Sequence, residues 1–346
     1  MSKNTDYTNL LSVCISSYNK GKKLQQLVEG LYNFGDPRIN VIISDDCSSD
    51  ITKSCLEGMA SKNVSLFYNS TNIGALPNWF ETINHGTGKY ILQVLDRDYI
   101  DLDVLSGLLD YLEENEVGAG YVGFMHSKLP GDAHLSSFNL FEPGERTAAL
   151  FGGVPMHPTG FLIRRDCWDE KKYRKYFYEE NKYGIYPHSY ILADIAMENY
   201  ILLLTKVFCR YVYSQSSKSK FYCNKSTDGF WWEPDMIFKN TDKFVKELSP
   251  AFSKRNRSLF VSRIFEDSLY RATVSYKRAI MDKRLMSHYM LECRRAPLIV
   301  LLLINFKYTL IYLNLLLRKS LLNISNAKEI VKISFSNASY LLSKAC

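Results

Sequence analysis

The sequence lacks the cysteine patterns of a metal cluster. Its eight cysteines, Cys14, Cys47, Cys55, Cys167, Cys209, Cys223, Cys293 and Cys346, include no CxxC and no His pair at zinc spacing. Dispersed thiols of this kind fit a reducing compartment. No GxGxxG follows the first apolar run, where the chain reads SSYNKGKK, so the fingerprint of a nicotinamide-dependent oxidoreductase is missing. No GxxxxGK(S/T) occurs either, which excludes a P-loop nucleotidase. Long apolar runs are scarce. The most apolar stretch, residues 297–317, is broken by Asn305, Lys307 and Asn314, whereas a spanning helix needs about 20 predominantly apolar residues. The opening MSKNTDYTN leads into a short apolar strand instead of a signal-peptide core. The expectation is a cytoplasmic protein, at most peripheral on the inner face of the cell membrane. Tandem repeats and low-complexity tracts are also missing.

What remains is an ordinary folding composition. The 346 residues are 46% hydrophobic and 23% charged, enough for a large buried core and far from disordered or coiled-coil extremes. The net charge of +7 is unevenly placed. Residues 251–346 carry 17 Lys and Arg against 5 Asp and Glu, net +12, and residues 1–250 carry 26 against 31, net −5. Lys277, Arg278, Lys283, Arg284, Arg294, Arg295, Arg318 and Lys319 flank apolar helical runs in that tail. This suits an anionic membrane surface, or a helical face packed on protein or on a second subunit, and matches no nucleic-acid module.

From residue 10 to 124, strand-like runs alternate with amphipathic helical ones. Residues 10–16, 40–44, 64–68, 90–95 and 121–124 read as strands, and Leu24, Leu27, Val28, Leu31 and Phe34 fall at helical spacing. Runs such as VIIS and YILQVL are too apolar for a wet face, so the fold class is α/β, a mostly parallel sheet flanked by helices. A helical region follows. The expected organisation is one domain over 1–240, in two parts at about 10–124 and about 125–240, then a basic helical region over 241–346.

Ligands of such sheets bind beyond the carboxyl ends of the strands. There the chain places Ser16-Ser17-Tyr18-Asn19, then SDDCSSD at residues 44–50, then Asp96-Arg97-Asp98. Two acidic clusters on one rim repel unless a cation lies between them, and a divalent ion carrying a diphosphate meets that need. Taken singly, such residues are common turn and cap formers, and Ser49 or Asp50 is expected to cap the next helix.

Together, SSYN, SDDCSSD, Asn72-x-Gly74-x-x-x-Asn78 and GKYILQVLDRD resemble the donor half of a family 2 glycosyltransferase with the GT-A fold. The resemblance covers residues 10–124 well and 150–200 loosely. It implies an inverting, metal-dependent, non-processive transfer from a nucleotide-diphosphate sugar, a UDP-sugar, to a glycan or lipid-linked glycan in polysaccharide biosynthesis. A processive synthase is excluded by the absence of QxxRW and of several membrane spans. By the same resemblance Ser16 and Tyr18 border the nucleotide, and Asp46 binds the base with Asp45 beside it. Asp96 and Asp98 form the DxD motif, with Asp98 the direct ligand of Mg2+ or Mn2+ and Asp96 near the ribose or metal. Cys47 stands where Gly is usual, and Arg97 is a cation available to phosphate. The general base is expected to open a helix, a place filled by Asp194, with Glu198 one turn later. His157 and Thr159, in GGVPMHPTGFLIRRD at 152–166, are acceptor-side residues. Arg164 and Arg165 are expected to face solvent or diphosphate, and Trp231 and Trp232 to pack at a domain junction or stack on a sugar ring. The alternative is a non-catalytic nucleotide-sugar or glycan-binding protein on a degenerate form of the same fold.

Overall fold

The computed structural model describes residues 7–61, 63–122, 137–151, 158–179, 187–204, 209–211, 225–226, 229–230, 234–281, 305–307, 309–310, 313–314 and 324–343. The chain divides into two compact units, Met1–Ala148 with Pro155–Tyr213, and Ala149–Val154 with Ser214–Cys346.

The first unit is built on β1 (Leu11–Ser17), α1 (Gly21–Phe34), β2 (Ile39–Asp45), α2 (Thr52–Leu56), β3 (Val64–Tyr68), α3 (Ala75–His85) and β4 (Tyr90–Leu95). Then come β5 (Asp98–Ile100), α4 (Leu102–Glu114), β6 (Ala119–Tyr121), β7 (Phe138–Phe141), α5 (Glu145–Phe151), β8 (Phe161–Arg164), α6 (Glu170–Tyr178), α7 (Pro187–Ile195), β9 (Ile201–Leu204) and β10 (Cys209–Tyr211). Eight strands form one sheet in the order β3-β2-β1-β4-β8-β6-β9-β7. Strands β1 to β4 are mutually parallel, as expected. β8 inserts antiparallel between β4 and β6, so β6 and its parallel neighbour β9 run in the same direction as β4. The strand expected at 121–124 starts earlier, at Ala119.

Alternation sorts the two faces of the sheet. On one, Leu11, Val13, Ile15, Val41, Ile43, Tyr90, Leu92 and Val94 pack with Leu24, Val28 and Leu31 of α1 and Leu105, Leu108, Leu109 and Leu112 of α4 in a continuous core. The other face carries Ser12, Asn40, Ser44 and Gln93, all buried. Burying these groups is costly unless they are bonded. Ser12 donates to Asn40 Oδ1 (2.7 Å) and accepts from the N–H of Gly88 (2.8 Å), while Ser44 donates to Asn78 Oδ1 (2.7 Å). Register then aligns the strand ends: Ser16 pairs with Ser44 on one side and Leu95 on the other, and Ser17 with Asp45. The three chemistry-bearing loops therefore leave the sheet side by side.

The second unit is helical over its described length, apart from a two-residue hairpin of β11 (Lys225–Ser226) and β12 (Gly229–Phe230). Helix α8 (Pro234–Leu248) packs on α9 (Lys254–Met281), which also packs on α10 (Ile324–Ser343). Phe260 of α9 lies between Phe244 (ring centroids 5.6 Å) and Phe252 (4.8 Å). Among the described residues no helix is long and apolar enough to cross a membrane.

Candidate active site

The loop after β1 is held to the loop after β2. Asn19 adopts a left-handed conformation (φ 54°), and its side-chain oxygen accepts from the N–H of Ser49 (2.9 Å) while its own N–H donates to Ser48 Oγ (2.8 Å). Cys47 is also left-handed (φ 58°), the region Gly enters freely and other residues enter at a cost of roughly 1–2 kcal/mol. The backbone shape that makes Gly usual here is kept. The N-cap of α2 is Ile51, not the expected Ser49 or Asp50, and Asp50 accepts from the N–H of Thr52 (2.8 Å).

Asp45 and Asp46 are both buried, and each has a defined duty. Asp45 accepts from the N–H and hydroxyl of Ser48 and fixes the turn. The Asp46 carboxylate receives the N–H groups of Ile73 (2.8 Å) and Gly74 (2.9 Å) and the amide of Asn69 (3.0 Å). The Asn72 amide donates to the Asp46 carbonyl (3.1 Å). Asp46 thereby brackets the Asn72-x-Gly74 segment, and Gly74 supplies the positive φ (95°) the bracket needs just before α3. One helical turn on, Asn78 donates to the Ser44 carbonyl (3.1 Å) and accepts from the Asn69 amide (3.1 Å). This network missed notice in the sequence apart from its NxGxxxN spacing, and Asn69 had no signal at all.

Asp96 and Asp98 flank the turn between β4 and β5, and both are buried (5% and 4% exposed). The Asp96 carboxylate accepts from the N–H of Tyr18 (3.2 Å), joining the first loop to the third. Thr159 donates its hydroxyl to Asp98 Oδ2, and that hydroxyl also accepts from the N–H of Leu95 (2.9 Å). Thr159 is fully buried against Asp98. Burial pushes both carboxyls up; Asp98 reaches about 6, opposed by the Thr159 hydrogen bond and the positive charge of Arg97. Strand β10 pairs with β5 in a small antiparallel ribbon, setting Tyr211 opposite Asp98. Ser16, partly exposed at the end of β1, accepts from the Gln93 amide (3.1 Å), and the Tyr18 side chain is 45% exposed. Ser16, Tyr18, Asp45, Asp46, Asp96, Arg97, Asp98 and Thr159 thus gather at one rim.

This rim suits a hard divalent cation. Among the described residues no three His, Cys, Asp or Glu side chains cluster as a self-sufficient metal site. Mg2+ and similar ions instead take one or two carboxylates with substrate phosphates, and two buried carboxylates with raised proton affinity are such a donor set.

Asp194 is elsewhere. It was expected to open its helix, but α7 begins at Pro187 and Asp194 is its penultimate residue. Because β9 runs in the same direction as β4, the end of α7 that leads into β9 lies toward the rim where those strands start, opposite to Asp96 and Asp98. There Asp194 accepts from Lys172 Nζ (2.6 and 2.7 Å) and from the hydroxyl of Tyr173 (2.7 Å), tying α7 to α6. Glu198 follows it past the helix end. Arg164 and Arg165 belong to that rim too, and neither faces diphosphate or open solvent as expected. Arg164 pairs with Asp166 (2.5 Å) and donates to Asn199 (3.2 Å), and Arg165 donates to the Gly86 carbonyl after α3. The opposite end of α7 holds His188, fully buried beside Trp79 (5.3 Å) and Phe161 (6.1 Å). His157, Trp231 and Trp232 lie outside the described residues.

Comparison with known proteins agrees with this geometry. Residues 12–170 match the model of glycosyl transferase family 2. Abequosyltransferase RfbV of Salmonella typhimurium (strain LT2) is 24% identical over 206 residues, covering 54% of this chain and 61% of that protein. The putative teichuronic acid biosynthesis glycosyltransferase TuaG of Bacillus subtilis (strain 168) is 25% identical over 122 residues, 35% of this chain and 48% of that protein. The match thus spans between about half and three fifths of these relatives' lengths. Among solved structures, S. aureus TarS 1–349 in complex with UDP aligns with a TM-score of 0.51 at 16% identity, over 96% of this chain and 92% of that one, which shows a shared fold. The region that runs from β1 to the start of α6 is thus similar to glycosyl transferase family 2.

Proposed function

We propose that this protein is a metal-dependent, inverting, non-processive glycosyltransferase that moves a sugar from a UDP-sugar to a hydroxyl of a glycan or lipid-linked glycan in polysaccharide biosynthesis. The observation that carries the reading is the convergence of the β1, β2 and β4 loops, with Asp96 and Asp98 buried and held by the neutral donors Tyr18 N–H and Thr159 hydroxyl. The match of residues 12–170 to glycosyl transferase family 2 supports the reaction class, the UDP bound to the TarS structure supports the nucleotide, and the B. subtilis relative's name supports the pathway.

Ser16 and Tyr18 border the nucleotide, Asp46 shapes the pocket that receives the base, and Arg97 meets a phosphate. A bound Mg2+ or Mn2+ would be held by Asp98 with Asp96, and it supplies charge neutralisation for the departing diphosphate. Thr159 keeps the Asp98 carboxylate aimed. The acceptor oxygen attacks the anomeric carbon on the face away from the diphosphate, the bond from that carbon to the diphosphate oxygen breaks, and the hydroxyl proton passes to a base on the acceptor side. From the far end of α7, Asp194 holds the helix, so the base is a different group.

The test is a panel of sugar nucleotides incubated with Mg2+ or Mn2+. The expected result is hydrolysis of a UDP-sugar that EDTA reversibly stops and that Asp98→Asn abolishes. Nucleotide binding without turnover of any donor would make the protein a binding module on a degenerate fold.

A further inference from the structure

We infer that the C-terminal helices carry a docking surface for an anionic lipid bilayer. Residues 305–307, 309–310 and 313–314 are helical and lie against α10. Their seam is polar. Asn305, Thr309 and Ser334 are 0%, 5% and 2% exposed, and the Asn305 amide donates to the carbonyl (3.0 Å) and hydroxyl (2.9 Å) of Ser334, while Thr309 donates to Ser334 Oγ (2.9 Å). Ile330 and Ala338 of α10 are buried as well (0% and 7% exposed), but four large apolar side chains point outward. Phe306, Leu310, Val331 and Phe335 are 40%, 67%, 41% and 63% exposed. Phe306 meets Phe335 edge to face at 6.1 Å, so the two helices share one apolar strip.

In water a helix pair gains by hiding its apolar stripe and wetting its polar one. Here three hydrogen-bonding side chains are inside, with Ile330 and Ala338, while four large apolar ones are outside, a surface suited to lipid, where small polar residues can make the seam. Lys328 and Lys332 are exposed on α10 beside Val331 and Phe335, and the surrounding residues 251–346 hold 17 basic against 5 acidic side chains. A second copy of the chain fits this surface less well, because a two-fold contact would bring like-charged lysine strips together. An interfacial depth follows from the exposed lysines. The sequence on either side of the first helix, PLIVLLLI at 297–304 and LLLRKSLL at 315–322, has the composition of such a region. This surface belongs to the second unit alone and does not depend on the donor chemistry.

The test is co-sedimentation of the full chain with phosphatidylcholine vesicles and with vesicles of phosphatidylcholine and phosphatidylglycerol. The full chain should bind the anionic vesicles, less so as salt rises. Leu310→Ser with Phe335→Ser should remove binding while the far-UV spectrum and melting temperature stay unchanged, because both side chains are exposed. Lys328→Gln with Lys332→Gln should weaken binding about tenfold or more. Three results would overturn the inference: no vesicle binding, equal binding to neutral vesicles, or a parental dimer in sedimentation velocity that the Leu310 and Phe335 changes disperse.

Discussion

Where β1, β2 and β4 begin, acidic side chains are paired with cations: Asp36, Asp110 and Glu113 with Arg38, Asp166 with Arg164, and Asp194 with Lys172. Where the same strands end, the contacts that hold Asp45, Asp46 and Asp96 are with Ser48, with backbone and Asn amides, and with the Tyr18 N–H, and Asp98 takes the Thr159 hydroxyl. The first rim spends its carboxylates on structure. At the second, burial raises the proton affinity of Asp96 and Asp98 against the opposing charge of Arg97, and a bound cation would lower it further. Two acidic residues equally prominent in sequence, Asp98 and Asp194, fall on opposite sides of this divide.

The comparison is broken most directly at Asp98. Asp98→Asn should cut sugar transfer by roughly 100-fold or more, the scale of losing a preorganised electrostatic group, with little loss of fold. The same substitution has a pH signature in the metal-free protein. Burial pushes the folded Asp98 carboxyl up to about 6 from its ordinary 3.8, so between those pH values the folded state binds the extra proton. By linkage this contribution favours the fold at low pH and is lost as pH rises through 6. The parent should therefore lose more melting temperature than Asp98→Asn between pH 4.5 and about 7. Parallel curves would mean that Asp98 is solvated and that the two rims do not differ.

A second break falls on Asp46, whose carboxylate receives three N–H donors. Asp46→Ala leaves the part-buried N–H groups of Ile73 and Gly74 and the Asn69 amide without that acceptor, a cost of about 1–3 kcal/mol. UDP affinity, measured by calorimetry, should fall with it, because the loop that borders the pocket is no longer bracketed. Unchanged stability with lost affinity would instead make Asp46 a direct nucleotide ligand that the fold can spare.

Strands β1 to β4 were legible because each is a continuous apolar run bounded by turn residues, and a parallel order puts their loop chemistry on one rim without further information. β5 and β8 were not. Tyr99 and its neighbours pair with Cys209–Tyr211, more than a hundred residues away, and Phe161–Arg164 is too short a run to tell from a loop lining. The helix carrying Asp194 was placed too late. Pro187 at its first position, where a missing N–H costs nothing, marked the true start, and it moves Asp194 from the first turn to the last. The polar seam of the C-terminal helices was hidden for another reason: Asn305 and Asn314 read as interruptions of an apolar face, yet Asn305 is at the packed seam and Asn314 is exposed.

Asp194→Asn sharpens the comparison by separating a clamp from a base. Asn keeps an acceptor for the Tyr173 hydroxyl and loses the charge pairing with Lys172, a half-exposed partner, so stability should fall by about 1 kcal/mol or less. The turnover number should stay near the parental value. A fall of about 100-fold in kcat with UDP affinity intact would return Asp194 to the general-base role, on the scale of a lost proton acceptor.

The smallest effect is expected at Cys47. Its φ of 58° lies in the left-handed region, and its thiol makes only a long contact to the Ser70 carbonyl (3.7 Å) from an exposed position. Cys47→Gly relieves the steric cost of that conformation, roughly 1 kcal/mol, and adds unfolded-chain entropy that takes back about 0.4–1 kcal/mol. The net change should be a gain of at most about 0.5 kcal/mol by denaturant titration. Donor affinity should not change, because the backbone of the SDDCSSD loop is already the one that Gly would choose. If affinity rises while stability stays flat, the left-handed turn forms only on binding, and the donor rim is less preorganised than its hydrogen bonds indicate.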